Sequence, residues 1–280
     1  MSKKFNLVVL ILLVGGCSSI SPLKKFNPPT DINVAPGEVI KIPTSSDATS
    51  IKCVNKVHQP MHVPSGSYFV YAESYFSKGE TINCEVFADD GKKLYRQKIV
   101  VSDKEYPFET LSVNPRRVKL NKKDLQRVLK ERKLLNKIYS KTATPLGVEE
   151  RFRLPLRSKV TSNYGTRRLF NNVKKSQHLG IDFRAKVGVP IPASNKGKVV
   201  FSRDLFYTGN TVIIDHGLGI FTLYGHLNKL TVSENQTVNK GDIIGHAGKT
   251  GRVTGPHLHW GVKVNGHWVD GFELSKISFP

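Results

Sequence analysis

The stretch Pro256-His257-Leu258-His259-Trp260-Gly261-Val262-Lys263-Val264 constrains the fold more than any other. Leu258, Trp260, Val262 and Val264 alternate with His257, His259 and Gly261, and Asn265-Gly266 follows as a hairpin turn signal. Such a pattern requires a strand with one buried face, and a one-residue slip would drive both imidazoles into the core. His178-Leu179-Gly180-Ile181-Asp182-Phe183 has the same period. Read as a strand, it puts His178, Gly180 and Asp182 on one face and Leu179, Ile181 and Phe183 on the other. In Thr222-Leu223-Tyr224-Gly225-His226-Leu227, the shared face carries Thr222, Tyr224 and His226. Four histidines and one aspartate thus lie on three strands whose apolar faces are accounted for.

The rest of the chain is mostly β as well. Residues 31–112 hold short β-prone runs, such as Val39–Ile42, Ser67–Ala72, Thr81–Phe87 and Tyr95–Val101, separated by turn formers such as Pro36-Gly37 and Asp89-Asp90-Gly91. This predicts a small β-sandwich without chemistry of its own. Residues 113–150 form a linking helix and connector. Leu125, Val128, Leu129, Leu135 and Ile138 recur at helical spacing, with Asn121 and Asp124 placed as an N-terminal cap and a solvated basic face opposite. Residues 151–280 return to short strands and glycine-rich turns. His58, His62, His216, His246 and His267 read as structural.

The 280-residue chain carries a net charge of +21, which favours polyanionic surroundings. Lys3 and Lys4 precede the apolar run Leu7–Val14, which is shorter than the roughly 20 residues a spanning helix needs and fits a signal-peptide core. Val14-Gly15-Gly16-Cys17 resembles the lipobox of bacterial lipoproteins. The resemblance implies a signal peptide over 1–16, lipidation of Cys17 and a place in the cell envelope on a membrane, and the polar run to Thr30 with Pro22, Pro28 and Pro29 reads as a tether over 17–30. Export argues against nucleic acid as a partner. Cys53 and Cys84 then remain as an even pair in an oxidising compartment and are expected to be bridged.

Zinc suits the histidines and aspartate. It takes imidazole nitrogen and carboxylate oxygen at about 2.0–2.2 Å, and a catalytic site keeps its fourth position open to water. Bound zinc makes a hydroxide nucleophile available near neutral pH. The same residues, with Ser162–Arg168, Gly209–Val212, Tyr224-Gly225-His226-Leu227, Lys240–Gly248 and Thr250–Trp260, resemble the zinc metallopeptidases of lysostaphin and LytM over about residues 153–272. The resemblance implies a LytM/lysostaphin-like β-sheet catalytic domain that binds one Zn2+ and hydrolyses peptide bonds of peptidoglycan. By resemblance His178, Asp182 and His259 are the metal ligands, and His257 and His226 are the catalytic histidines. His257 matches the general base, and His226 matches the residue that orients water or stabilises the oxyanion. Arg167, with Arg168 beside it, and Tyr224 are candidates for substrate contact, a structural salt bridge being the alternative for the arginines. The expected partners are peptidoglycan and a membrane, reached through the lipid, with no oligomer.

Overall fold

A computed structural model describes residues 26–54, 56–63, 66–141 and 148–279. Cys17, the signal peptide and the first part of the tether lie outside the described residues. Among the described residues no helix is long and apolar enough to cross a membrane.

The N-terminal part contributes β1 (Asp31–Val34), β2 (Val39–Thr44), β3 (Ala48–Cys53), β4 (Lys56–His58), β5 (Met61–Val63), β6 (Gly66–Ala72), β7 (Thr81–Ala88) and β8 (Lys93–Val101). They form two sheets, ordered β1-β8-β7-β3-β4 and β2-β6-β5. Ile42, Phe69 and Tyr71 from the smaller sheet meet Ile51, Val86 and Ile99 from the larger one. The expected bridge joins Cys53 and Cys84, which face each other across β3 and β7. Closing a loop with a sequence separation of 31 stabilises this domain by roughly 3–4 kcal/mol in the chain-entropy model.

Strand β6 explains its own apolar run. Phe69 and Tyr71 belong to the sandwich core, whereas Tyr68, Val70 and Ala72 on the other face join the core of the C-terminal part. A strand covered on both faces has no polar side to show.

Beyond the sandwich come β9 (Phe108–Leu111), a 3-10 turn at Pro115–Arg117, and α1 (Lys122–Tyr139). Asn121 caps α1 by accepting from the Asp124 amide at 2.8 Å. The helix docks by only the C-terminal part of the stripe its spacing suggests, Leu135 and Ile138, joined by Leu134 and Tyr139. These four pack on Phe201, Leu205, Phe221 and Leu223, while Leu125 and Leu129 are exposed. Arg127 pairs with Asp204 at 2.6 Å and Glu131 accepts the Phe206 amide at 2.9 Å, so polar contacts fix the N-terminal half.

The C-terminal part holds β10 (Val160–Ser162), β11 (Arg167–Phe170), β12 (Lys174–Gln177), β13 (Ile181–Arg184), β14 (Pro190–Pro192), β15 (Gly197–Leu205), β16 (Gly209–Asp215), β17 (Ile220–Leu230), β18 (Thr237–Val238), β19 (Ile243–Ala247), β20 (His257–Val264), β21 (His267–Val269) and the short α2 (Gly271–Lys276). The main sheet runs β10-β13-β20-β17-β16-β15-β18, with β19 and β21 as branches. Leu258, Trp260, Val262 and Val264 are fully buried, as the alternation requires. Asn265 and Gly266 both take positive φ, 50° and 85°, as the tight hairpin between β20 and β21 demands. Strand β9, expected within the sandwich, instead pairs in parallel with β11 in a separate sheet, β12-β11-β9.

Candidate active site

Strands β13, β20 and β17 are neighbours, and their register brings the chemistry together: Asp182 lies opposite His259, and His259 opposite Gly225. Gly180 leaves the room this needs. A Cβ there would come within 2.5 Å of the His259 ring and 2.8 Å of the Trp260 carbonyl.

Three atoms meet in a near-equilateral triangle. His178 Nε2 is 2.9 Å from Asp182 Oδ1 and 3.0 Å from His259 Nδ1, and His259 Nδ1 is 2.9 Å from Asp182 Oδ1. His178 and Asp182 are buried. His178 Nδ1 lies 2.9 Å from the Asn163 carbonyl, which can only accept, so the ring proton sits on Nδ1 and Nε2 presents its lone pair. Burial alone would raise the Asp182 carboxyl. Favourable electrostatics and hydrogen bonding with the facing His178 and His259 rings outweigh that and hold it well below the usual carboxylate range, so a proton entering the triangle sits on a ring nitrogen and not on the carboxylate. Burial pushes His259 down to about 4 despite Asp182 beside it. Three lone-pair groups therefore converge, and one shared proton cannot satisfy all three edges.

A divalent cation can. Donors spread tetrahedrally around zinc at about 2.0–2.2 Å lie roughly 3.3–3.6 Å apart, so the observed triangle needs to open by only a few tenths of an ångström. Among the described residues this is the one group of three or more histidine, cysteine or acidic side chains placed to share an ion.

His226 and His257 flank the triangle, their ring centroids 4.7 Å apart. Each donates from Nδ1 to a backbone carbonyl, His226 to Thr250 and His257 to Gly255, both at 2.8 Å. Both Nε2 atoms are thus free of the backbone, and that of His257 lies 3.7 Å from Asp182 Oδ1. Burial, then repulsion from His257 and His259, pushes His226 well below the ordinary imidazole range.

Two expectations about faces need correction. His178 does not share a strand with Asp182. It follows β12 and reaches the site from the turn before β13, held by its own amide to the Thr166 carbonyl at 2.9 Å. His226 does not share a face with Tyr224. It takes a left-handed backbone, φ 63°, at a register shift between β16 and β17 that turns its side chain into the site.

The substrate candidates also move. Tyr224 is fully buried. Its hydroxyl accepts the Ser194 amide at 2.7 Å and lies 3.1 Å from the Thr222 hydroxyl, so it is a core residue. Arg167 is exposed and near Tyr75, whereas Arg168 on the opposite face of β11 reaches Asp182 Oδ2 at 2.9 Å. The single-residue offset follows from strand alternation.

A cavity of about 590 Å³ opens over the histidines. Its lining includes Val128, Glu131 and Leu135 of α1 and Arg252, Val253 and Thr254 of the loop before β20. Arg252 is held in place between the rings of Phe170 and Tyr207, 4.2 and 4.5 Å from their centroids. Thr250, Gly255 and Asn163, which orient the three histidines through their carbonyls, went unremarked as individual residues in the sequence. A backbone acceptor leaves no mark on residue type.

Residues 176–271 match the description of peptidase family M23. The Vibrio cholerae peptidoglycan DD-endopeptidase ShyA is 42% identical over 126 residues, 44% of this chain and 29% of that protein. The Neisseria meningitidis DD-carboxypeptidase/endopeptidase Mpg is 43% identical over 93 residues, 33% of this chain and 21% of that protein. The chain thus matches less than a third of either relative's length. A crystal structure of a Pseudomonas aeruginosa protein assigned to peptidase M23 superposes with a TM-score of 0.68 at 26% identity, covering 86% of this chain and 95% of that one.

Proposed function

We propose that the chain is a zinc metalloendopeptidase that hydrolyses peptide bonds in the stem peptides or cross-bridges of bacterial peptidoglycan. The observation that carries this reading is the 2.9–3.0 Å triangle of His178 Nε2, Asp182 Oδ1 and His259 Nδ1 with two further imidazoles beside it. Those three residues would hold the zinc ion. When bound, zinc supplies Lewis acidity and lowers the pKa of water to about 7.

The chain's own groups do the rest. His257, its Nδ1 proton committed to Gly255, presents Nε2 as a base that takes the proton of the attacking water and returns it to the leaving amine. His226, its Nδ1 proton committed to Thr250 and its ring kept neutral, also presents a bare Nε2. That state suits it to accept from water and orient it, rather than to donate to an oxyanion. The cavity lined by α1 and the 252–254 loop would hold the substrate peptide.

The substrate class is supported by the peptidase activities of the Vibrio and Neisseria relatives and by the net charge of +21, which would hold the protein near an anionic wall. Lys3, Lys4, the apolar run Leu7–Val14 and Cys17 support export and lipid anchoring as part of the same proposal.

The test is elemental analysis of the purified protein together with mass spectrometry of the fragments it releases from purified sacculi. One zinc per chain and cleaved cross-links are expected. Zinc-loaded protein that binds sacculi and releases nothing would instead make the chain a wall-binding scaffold.

A further inference from the structure

Asp182 uses only one of its oxygens in the triangle. The other, Oδ2, accepts from Arg168 Nη2 at 2.9 Å. Arg168 Nε in turn donates to Glu109 Oε1 at 2.6 Å, and Arg168 Nη2 reaches Ser162 Oγ at 2.9 Å. Ser162 Oγ closes the group, 3.2 Å from both Glu109 Oε1 and His178 Nδ1. The Arg168 side chain is only 14% exposed and the Asp182 side chain 9%.

Glu109 comes from β9, the strand that leaves the sandwich for β11, and the parallel register sets it directly opposite Arg168. Both residues lie outside the stretch that matches peptidase family M23. The linker between the N-terminal sandwich and α1 therefore supplies a carboxylate to a network that ends on a side chain of the triangle.

We infer that Glu109 and Arg168 are positioning residues for the metal site, and that the linker strand completes that site. The inference rests on the zinc reading above. Arg168 fixes the plane of the Asp182 carboxylate by its outer oxygen and leaves Oδ1 as the single oxygen aimed at the ion. Alone, a guanidinium beside a dication would oppose its binding. Glu109 offsets that charge and fixes the guanidinium's orientation, so Arg168 orients the ligand without repelling the metal. A β9 strand that slipped or detached would remove this carboxylate, which couples the placement of the N-terminal part to metal affinity.

The test is zinc affinity of the full-length protein, measured by competition with a chromophoric chelator, for the wild type, Glu109→Gln, Arg168→Met and the double variant. Glu109→Gln keeps the shape of the side chain and the β9–β11 backbone pairing. It should weaken zinc binding roughly tenfold, as loss of a partner behind a metal ligand commonly does. In the Arg168→Met background the same change should have little further effect, because Glu109 acts through Arg168. A merely structural role would lower the melting temperature and leave the zinc constant unchanged. Zinc affinity of Glu109→Gln within twofold of the wild type, or an undiminished effect in the Arg168→Met background, would overturn the inference and leave the zinc reading standing. A wild-type protein that binds zinc no better than His259→Ala would remove the zinc reading itself.

Discussion

Two sets of buried imidazoles in the same C-terminal part have opposite characters. His216 is fully buried, with both nitrogens answered by neutral partners: Nδ1 donates to the Lys196 carbonyl and Nε2 accepts from the Thr222 hydroxyl, each at 2.7 Å. Phe152 packs against it in a T-shaped pair, ring centroids 4.9 Å apart. His178 and His259 are also enclosed, but their site-facing nitrogens meet each other and a carboxylate oxygen. A buried histidine with a donor and an acceptor in place is a finished piece of core. Lone pairs pointed at one another are an unfinished one, and they identify the site that wants a cation.

The strongest way to break this contrast is His259→Ala. It should abolish stable zinc binding and lower peptidoglycan hydrolysis on the order of 10³-fold or more, since the metal's activation of water is lost with it. Dialysis of the wild type against a strong chelator should give the same loss, and added zinc should restore the wild type but not the variant. Normal zinc content in His259→Ala would undo the ligand assignment.

His226→Ala and His257→Ala sharpen the contrast from within the site. Each should keep one zinc per chain and lose roughly 10²–10⁴ in kcat, the usual contribution of a positioned base. Elemental analysis alongside a dye-release assay on sacculi reads both quantities. If either variant lost zinc as well, its histidine would belong with the ligands.

The sequence carried one half of this contrast better than the other. Alternation in β20 identified the buried face residue by residue, because a strand with one apolar side admits a single register. Pairing of Cys53 with Cys84 was equally legible. Alternation fails where the chain leaves its strand. His178 sits in a turn between two sheets and His226 at a bulge, so the period assigned them faces that the backbone does not keep. The choice of Arg168 over Arg167, and the arrival of Glu109 beside it, depend on β9 pairing with β11 across more than fifty residues of chain. No local pattern encodes that pairing. In α1 the exposed Leu125 and Leu129 follow the helical period as well as the docked Leu135 and Ile138 do, and only tertiary contacts separate them.

His216 supplies the smallest effect and the clearest sign. Burial pushes its pKa down to about 4, against about 6.5 in an unfolded chain. Between those values the unfolded state binds more protons than the folded one, so acidification favours unfolding. The stability tied to a neutral His216 is fully present above pH 6.5. It is lost as pH falls toward 4, by up to about 3 kcal/mol for a shift of this size. His216→Leu should remove that part of the acid sensitivity. At pH 7.5 it should cost about 1–3 kcal/mol, because the Lys196 carbonyl and Thr222 hydroxyl are left without their partner. Denaturant unfolding of the two proteins at pH 7.5 and pH 5 would measure both quantities, with zinc content as the control. A loss of zinc in His216→Leu, or an unchanged difference between the two pH values, would mean that this imidazole is not the self-contained piece of core its hydrogen bonds describe.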